Sequence, residues 1–284
     1  MFENLQQLYR SFCEQGLDDP LVEVLRVADL LSMGALQEVD TAVDGEDVVS
    51  IPDLALRRRQ GVPLEYILGR AIYWGMVLEV SPETFIPRQE TELLVSVALD
   101  WIQERLARQD EVLAVDVGTG CGNIAVALAA SSSQVRVWAT EVSEGAAQVA
   151  RRNVARYSLE DQVTVLCGDL FAPLQGTEAM GAADLVICNP PYIPSGSLDR
   201  LGPEVVQHEP HVALDGGAQG TDLLARLIDG AVDVLRPGGL LAFETGRGPD
   251  EHAVRLLSEA GAYRDVTCYE SAGQVCAMSA VRVW

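Results

Sequence analysis

The sequence predicts an α/β protein in two parts, a small α-helical bundle followed by a larger domain built on a mostly parallel β-sheet. Three observations predict it. Apolar residues recur at helical spacing through the first 60 residues. From residue 90 onward short apolar runs alternate with helical segments, the order that covers both faces of a parallel sheet. Between the first of those runs and the next helix lies a glycine-rich turn, the kind of strand-to-helix junction that binds ligands. A length of 284 residues suits one large domain and a smaller one.

In the bundle, Leu5, Leu8 and Phe12 form one stripe, and Leu21, Val24, Leu25, Ala28 and Leu31 form another. Asp18-Asp19-Pro20 supplies a helix start, and Ser50-Ile51-Pro52-Asp53 opens a third helix running through Arg57-Arg58-Arg59. That trio reads as a solvated face rather than a binding patch. Gly61-Val62-Pro63 ends the bundle. Residues 71–86, with Tyr73, Trp74, Val77, Leu78 and Val80, read as a β-hairpin turning near Gly75. The boundaries expected are a helical domain over 1–70, a hairpin linker over 71–89 and a larger domain over 90–284.

The larger domain begins with a helix from Glu92 to Arg108 and an apolar strand over 112–117. The glycine turn leads into an alanine-rich helix over 122–130, and the strand over 135–140 ends on Glu141. A helix from Ser143 to Tyr157 and a strand over 163–166 lead to Gly168-Asp169. The strand over 183–188 enters Asn189-Pro190-Pro191-Tyr192. A helix over 221–235, then Pro237-Gly238-Gly239, precede a strand over 240–244.

The turn Gly118-Thr119-Gly120-Cys121-Gly122 lets backbone approach a ligand closely, and the helix behind it presents unpaired N–H groups. Alone, that pattern suits many nucleotide folds. Glu141 lies 23 residues after Gly118 at the end of the second strand, where an acid can accept from both ribose hydroxyls. Asp169 ends the third strand, where a carboxylate can accept from an adenine amino group. This set leads into Asn189-Pro190-Pro191-Tyr192 rather than to a hydride-transfer residue, which favours S-adenosylmethionine over NAD.

The chemistry of Asn189-Pro190-Pro191-Tyr192 fits a planar NH2 target. The lone pair of an amide or aromatic-amine nitrogen is delocalised, so the nitrogen is a poor nucleophile. Two acceptors, the Asn189 side-chain oxygen and the Pro190 carbonyl, engage its two N–H groups and aim the lone pair. Pro190 and Pro191 stiffen that geometry without adding a donor, and the Tyr192 ring can pack on the flat group. The alternative is a rigid turn capped by Asn. Its place after a buried strand, downstream of a glycine turn and two strand-end acids, favours chemistry.

In this order the segments resemble the HemK/PrmC family, the release-factor glutamine methyltransferases. Pro63-Leu64-Glu65-Tyr66-Ile67-Leu68-Gly69 is similar to the family's linker motif, and Phe85-Ile86-Pro87-Arg88-Gln89-Glu90-Thr91-Glu92 to its "IPRxETE" segment. Glu209-Pro210 and Ala213-Leu214-Asp215-Gly216-Gly217 continue the series. The resemblance implies a Rossmann-like, seven-stranded class I methyltransferase domain behind a helical domain that grips class 1 peptide chain release factors. It further implies S-adenosyl-L-methionine as cofactor, no metal, a monomer, and the glutamine of a Gly-Gly-Gln loop as substrate. By the same resemblance Gly118, Thr119, Gly120, Cys121 and Gly122 line the methionine part, and Glu141 holds ribose. Asp169 and Leu170 flank adenine, Asn189 also faces the cofactor, and Asn189 to Tyr192 hold the amide with Phe85 nearby. Three positions depart from the pattern. Glu141 stands where Asp is frequent, Leu170 where an aromatic is frequent, and Ser271-Ala272-Gly273-Gln274-Val275 lacks the Arg of an "AGxxR" ending.

Composition weighs on the alternatives. The chain holds 20 basic residues, every one Arg, against 42 acidic ones, for a net charge of -22. Exocyclic-amine DNA methyltransferases share the Asn-Pro-Pro-Tyr chemistry, but phosphate contacts need clustered cations. A ribosomal-protein glutamine methyltransferase is a closer alternative. No apolar run reaches the roughly 18 residues of a membrane span, and the N-terminus lacks the features of an export signal. The six scattered cysteines read as reduced thiols of a cytoplasmic protein. A GC-rich genome would favour Arg over Lys; an acidic surface kept soluble in strong salt would look the same. Salt adaptation predicts a melting temperature that rises from low to molar KCl, and equal stability in both would remove it.

Overall fold

The computed structural model describes residues 2–34, 50–246, 251–271 and 274–284. Among the described residues four helices open the chain: α1 (Phe2–Gln15), α2 (Pro20–Ser32), α3 (Ile51–Arg59) and α4 (Leu64–Leu68). Asp19 caps α2 by accepting from the Val22 N–H, with Pro20 at the first position. Ser50 caps α3 by accepting from the Asp53 N–H. The inner faces meet in a cluster that includes Leu8, Phe12, Val27, Leu54 and Leu68.

Three details of the bundle differ from the sequence reading. The buried line of α2 is Val24, Val27 and Leu30, whereas Leu21 and Leu25 are 56% and 55% exposed. Apolar residues surround most of α2, so periodicity alone does not choose a face. Gly61-Val62-Pro63 does not end the bundle, because α4 follows and buries Leu64, Ile67 and Leu68 in the same cluster. The arginine trio is not uniformly solvated. Arg57 and Arg59 fit that reading, but the Arg58 side chain is only 12% exposed. Its guanidinium donates to Glu23 Oε1 of α2 at 2.9 Å, to Glu204 Oε2 at 3.1 Å and to the Val62 carbonyl at 3.1 Å.

The hairpin forms as expected, from β1 (Arg70–Tyr73) and β2 (Met76–Glu79). Trp74 (φ 52) and Gly75 (φ 68) both adopt positive φ, as a two-residue turn matched to strand twist requires. The Trp74 N–H donates to Glu92 Oε1. The two faces of β2 serve different cores: Val77 joins the bundle cluster, while Leu78 and Val80 join the cluster on the large sheet. Tyr157 donates to the Val77 carbonyl and accepts from its N–H, and Asn153 does the same for Glu79. Both residues lie on or just past α7 (Glu144–Arg156), so side chains of a helix complete the hairpin's outer edge.

After α5 (Thr91–Leu106), the strands and helices alternate: β3 (Val112–Val117), α6 (Asn123–Ser131), β4 (Val135–Glu141), α7 and β5 (Val163–Cys167). Then come β6 (Ala183–Cys188), α8 (Pro203–His208), α9 (Asp222–Val234) and β7 (Leu235–Glu244). The chain closes with α10 (Glu251–Ala260), β8 (Tyr263–Ser271) and β9 (Gln274–Arg282). The seven-stranded sheet has the order β5-β4-β3-β6-β7-β9-β8, with β9 antiparallel to both neighbours. Along β6, Leu185 and Ile187 face one hydrophobic cluster and Val186 and Cys188 the other, the period of two expected for a strand buried on both faces.

The strand expected from Leu240 starts earlier. Ala183 pairs with Leu235 and Leu185 with Leu240, so residues 236–239 bulge out of register. Arg105 holds the bulge by donating to the Gly238 carbonyl. Ala272 and Gly273 of the departing C-terminal motif lie outside the described residues, and β8 and β9 lead to them from either side. Replacing Arg58 with Ala leaves the buried Glu23 carboxylate without its principal cation. The expected loss is about 3 kcal/mol in urea unfolding, against under about 1 kcal/mol for Arg57→Ala.

Candidate active site

The sheet order reverses between β3 and β6, where one run continues to β4 and β5 and the other to β7. At such a point the loops leave the carboxyl ends in opposite directions and open a crevice. The glycine turn follows β3 and Asn189-Pro190-Pro191-Tyr192 follows β6, so the two motifs flank that crevice. A cavity of about 520 Å³ occupies it.

The glycine turn is fixed by β4. The Gly118 and Thr119 N–H groups donate to the Thr140 carbonyl at 2.8 and 3.0 Å, and the Gly120 N–H donates to Glu141 Oε2 at 2.9 Å. Gly118 (φ 68) and Gly120 (φ 57) adopt left-handed backbone, and a Cβ on either would meet nothing within 4 Å. Their empty side is a cradle for a ligand. Thr140 lines the cavity, and its hydroxyl is buried with no partner among the described residues. A polar adenosyl group with amino and hydroxyl functions fits both features.

Gly118, Thr119, Gly120, Cys121, Glu141, Asp169 and Leu170 all line the cavity, as do Phe85 and Asn189 through Tyr192. Gly122 does not. It caps α6 with φ 84, and a Cβ there would press on Ala150 of α7 at 3.2 Å. Its smallness serves helix packing rather than ligand approach. Leu170 lines the cavity with φ 46, a conformation rare for a branched side chain. Asp169 is ion-paired to Arg226 of α9, another lining residue. The guanidinium of Arg88 stacks on the Phe85 ring at 4.7 Å and pairs with buried Glu209.

The Asn-Pro-Pro-Tyr segment is held by backbone. The Ile193 N–H donates to the Leu214 carbonyl at 3.1 Å, and the Gly216 N–H donates to the Ile193 carbonyl at 2.9 Å. A Cβ on Gly216 would stand 2.7 Å from the Pro191 carbonyl oxygen, so only glycine lets the strands meet. The Tyr192 ring lies over Gly246. Asn189 Nδ2 donates to the Thr91 hydroxyl at 3.1 Å, and that hydroxyl donates to Glu244 Oε2 at 2.6 Å. Thr91, Glu244, Arg88 and Glu209 escaped the sequence reading as site residues. Arg88, Thr91 and Glu209 lie in the segments that resemble the family's motifs, but nothing local assigned them a role, and Glu244 stood out only as an acid at a strand end.

Burial pushes the Cys121 thiol up to about 12 and holds that of Cys188 above its ordinary value, so neither is a nucleophile. Among the described residues no group of three or more His, Cys, Asp or Glu is placed to hold a metal ion. Burial likewise pushes Glu244 up to about 7. Asp116, fully enclosed beneath the glycine turn, also rises to about 7 through burial. Hydrogen bonds from the Thr119 hydroxyl (2.5 Å) and the Ala125 N–H (3.1 Å) oppose that rise.

A raised carboxyl makes the folded state the tighter proton binder. The stability Asp116 contributes is complete below the ordinary carboxylate range and is lost as pH rises toward 7. Asp116→Asn removes that slope. The stability difference between wild type and variant is expected to change by roughly 1.4 kcal/mol per pH unit between about pH 4 and 7. Urea titrations at several pH values measure it, and parallel curves would refute the assignment.

The methyltransferase small domain family matches residues 92–259. The release factor glutamine methyltransferase of Gloeobacter violaceus is 44% identical over 209 residues, covering 73% of this chain and 70% of the relative. That of Bacillus cereus is 32% identical and covers 92% and 91%. Among solved structures, a methyltransferase from Pyrococcus furiosus superposes with a TM-score of 0.50 at 21% identity, covering 74% of this chain and 91% of that one. With the cradle and the planar-NH2 motif on one crevice, these matches identify the chain as a member of the release factor glutamine methyltransferase family, S-adenosylmethionine-dependent enzymes.

Proposed function

We propose that this chain methylates the side-chain amide nitrogen of the glutamine in the Gly-Gly-Gln loop of class 1 peptide chain release factors, modulating translation termination. The observation that carries it is the fixed Asn189 carboxamide lining the crevice, with Nδ2 engaged by Thr91 and Oδ1 left to accept. The names of the relatives at 32–44% identity agree with that acceptor.

When bound, S-adenosylmethionine supplies a methyl group made electrophilic by its cationic sulfur. Gly118 to Cys121, Glu141, Asp169 and Leu170 would hold it, with Asn189 at the boundary between cofactor and substrate. Asn189 Oδ1 and the Pro190 carbonyl accept the two N–H groups of the glutamine amide and turn its lone pair toward the methyl carbon. Pro191 stiffens that pair, while Tyr192 and Phe85 pack beside the flat amide. Alignment and preorganised dipoles supply the rate enhancement. No dedicated base is needed, since the nitrogen becomes acidic once alkylated.

Residues 1–70 serve release-factor recognition in this reading, residues 71–89 link, and residues 90–284 catalyse. The enzyme acts as a cytoplasmic monomer without direct contact to nucleic acid or membrane. No helix among the described residues is long and apolar enough to cross a membrane.

The test incubates the protein with methyl-labelled S-adenosylmethionine and, separately, a release factor, a ribosomal extract and DNA. Label is expected on the release-factor glutamine. Label confined to a ribosomal protein or to DNA would overturn the proposal. Asn189→Ala is expected to reduce transfer at least about 100-fold, as for loss of a preorganised polar group, while calorimetry finds cofactor affinity nearly unchanged.

A further inference from the structure

An asparagine carboxamide has two faces of nearly equal shape, and only one of them serves the reaction. Presented oxygen-first, Asn189 accepts from the substrate nitrogen. Presented nitrogen-first, it opposes donors with donors. Packing cannot separate the two flips, because NH2 and O occupy almost the same volume; only hydrogen bonding can.

We propose that Glu244 and Thr91 are positioning residues whose buried hydrogen-bond chain fixes the flip of Asn189, so that Oδ1 meets the substrate amide. The inference rests on the proposed glutamine methylation. The three groups come from three elements: Asn189 follows β6, Thr91 opens α5, and Glu244 ends β7. Thr91 is 1% exposed and Glu244 4%, so water does not compete for either. Burial raises Glu244 to about 7, and above that pH it is ionised and only accepts. Thr91 has one hydroxyl proton, which it donates to Glu244 at 2.6 Å. The hydroxyl then has only lone pairs to offer Asn189, and it receives Nδ2 at 3.1 Å. Polarity passes along the chain from the acid to the amide. Neither Thr91 nor Glu244 need touch the substrate.

The neighbours of Glu244 set the pH range in which that direction holds. Tyr73 of β1 and Cys188 of β6 both face it, and burial raises both above their ordinary values, so they stay neutral. Burial, joined by the negative charge of Glu90 one residue before α5, raises Glu244 to about 7, so the acceptor direction holds above that pH, as in the assay at pH 8 below. Across this cluster Thr91 is the residue that connects the acid to the motif.

Thr91→Val keeps the side-chain volume and removes the hydroxyl; Thr91→Ser keeps the hydroxyl and removes a methyl group. Assayed on a release factor at pH 8, Thr91→Val is expected to lose about tenfold in kcat, the worth of one oriented hydrogen bond. Its KM for S-adenosylmethionine should stay within about twofold, and Thr91→Ser should recover most of the rate. Wild-type kcat in Thr91→Val, or an equal loss in Thr91→Ser, overturns the proposal. A second measurement needs no activity. The Asn189 side-chain amide protons, assigned by their disappearance in Asn189→Ala, should exchange with water slowly in wild type and Thr91→Ser and faster in Thr91→Val. Equal exchange in all three overturns the chain. If the wild-type enzyme labelled no glutamine, the proposed substrate would fail, while the exchange measurement would still decide the flip.

Discussion

The rest of the structure depends on the side-chain carboxamide of Asn153. It is completely buried, donates to the Glu79 carbonyl at 2.9 Å and the Cys121 carbonyl at 2.8 Å, and accepts from the Glu79 N–H at 2.7 Å. One side chain therefore joins helix α7, strand β2 and the glycine turn. The hairpin carries the helical bundle on its amino side and the segment from Phe85 to Glu92 on its carboxyl side. Where the hairpin sits, both sit. An aliphatic residue at 153 would leave two carbonyls and one N–H buried without partners, each at a cost of about 1–3 kcal/mol.

From that fixed hairpin the segment over 85–92 reaches into the site at several points. The Ile86 N–H and the Arg88 guanidinium both bind Glu209, which anchors the stretch between α8 and the strand-like residues 214–217. Glu92 reaches back to the hairpin turn and Thr91 forward to Asn189. Asn189-Pro190-Pro191-Tyr192 is thus held between two supports, side chains of α5 on one side and the backbone of residues 214–216 on the other. Pro190 and Pro191 have no N–H to satisfy, so a segment packed this tightly has two fewer donors to pair. A methyl transfer that relies on alignment needs such rigidity more than it needs acids and bases.

Much of this was legible in the sequence, and the boundary has a physical cause. Strands β3 to β6 announced themselves because each is an apolar run bounded by glycine, proline or an acid. The hairpin turn was legible from one glycine. The cavity residues were legible because chemistry concentrates at the carboxyl ends of parallel strands. What stayed hidden were the long-range pairs: Thr91 with Glu244, Arg88 with Glu209, and Arg58 with Glu204, separated by 153, 121 and 146 residues. No local pattern records a partner at that distance. The exposed face of α2 was hidden for the opposite reason, since too many residues there are apolar for periodicity to choose. Gly122 shows a third cause: a motif glycine can face a neighbouring helix, and spacing does not tell which glycines approach a ligand.

Charge completes the case for a neutral, protein-borne acceptor. The chain carries a net charge of -22, so a polyanion approaching the crevice meets repulsion before any specific contact. The crevice offers little to offset it. Of the residues lining the cavity two are arginines, and both are already paired, Arg88 with Glu209 and Arg226 with Asp169. Capturing a phosphate there would mean breaking an existing ion pair, and in the case of Glu209 stranding a buried carboxylate. A glutamine amide asks for none of this. It is uncharged, needs two acceptors for its two N–H groups, and can be delivered on a narrow loop into a cavity of about 520 Å³. The same crevice can serve a cationic cofactor because the other charged residues lining it, Glu83, Glu141 and Asp215, are all acids, with Glu141 set at the end of β4 beside the glycine turn. Acceptors at the substrate end and acids at the cofactor end together make a site matched to a positive donor and a neutral nucleophile.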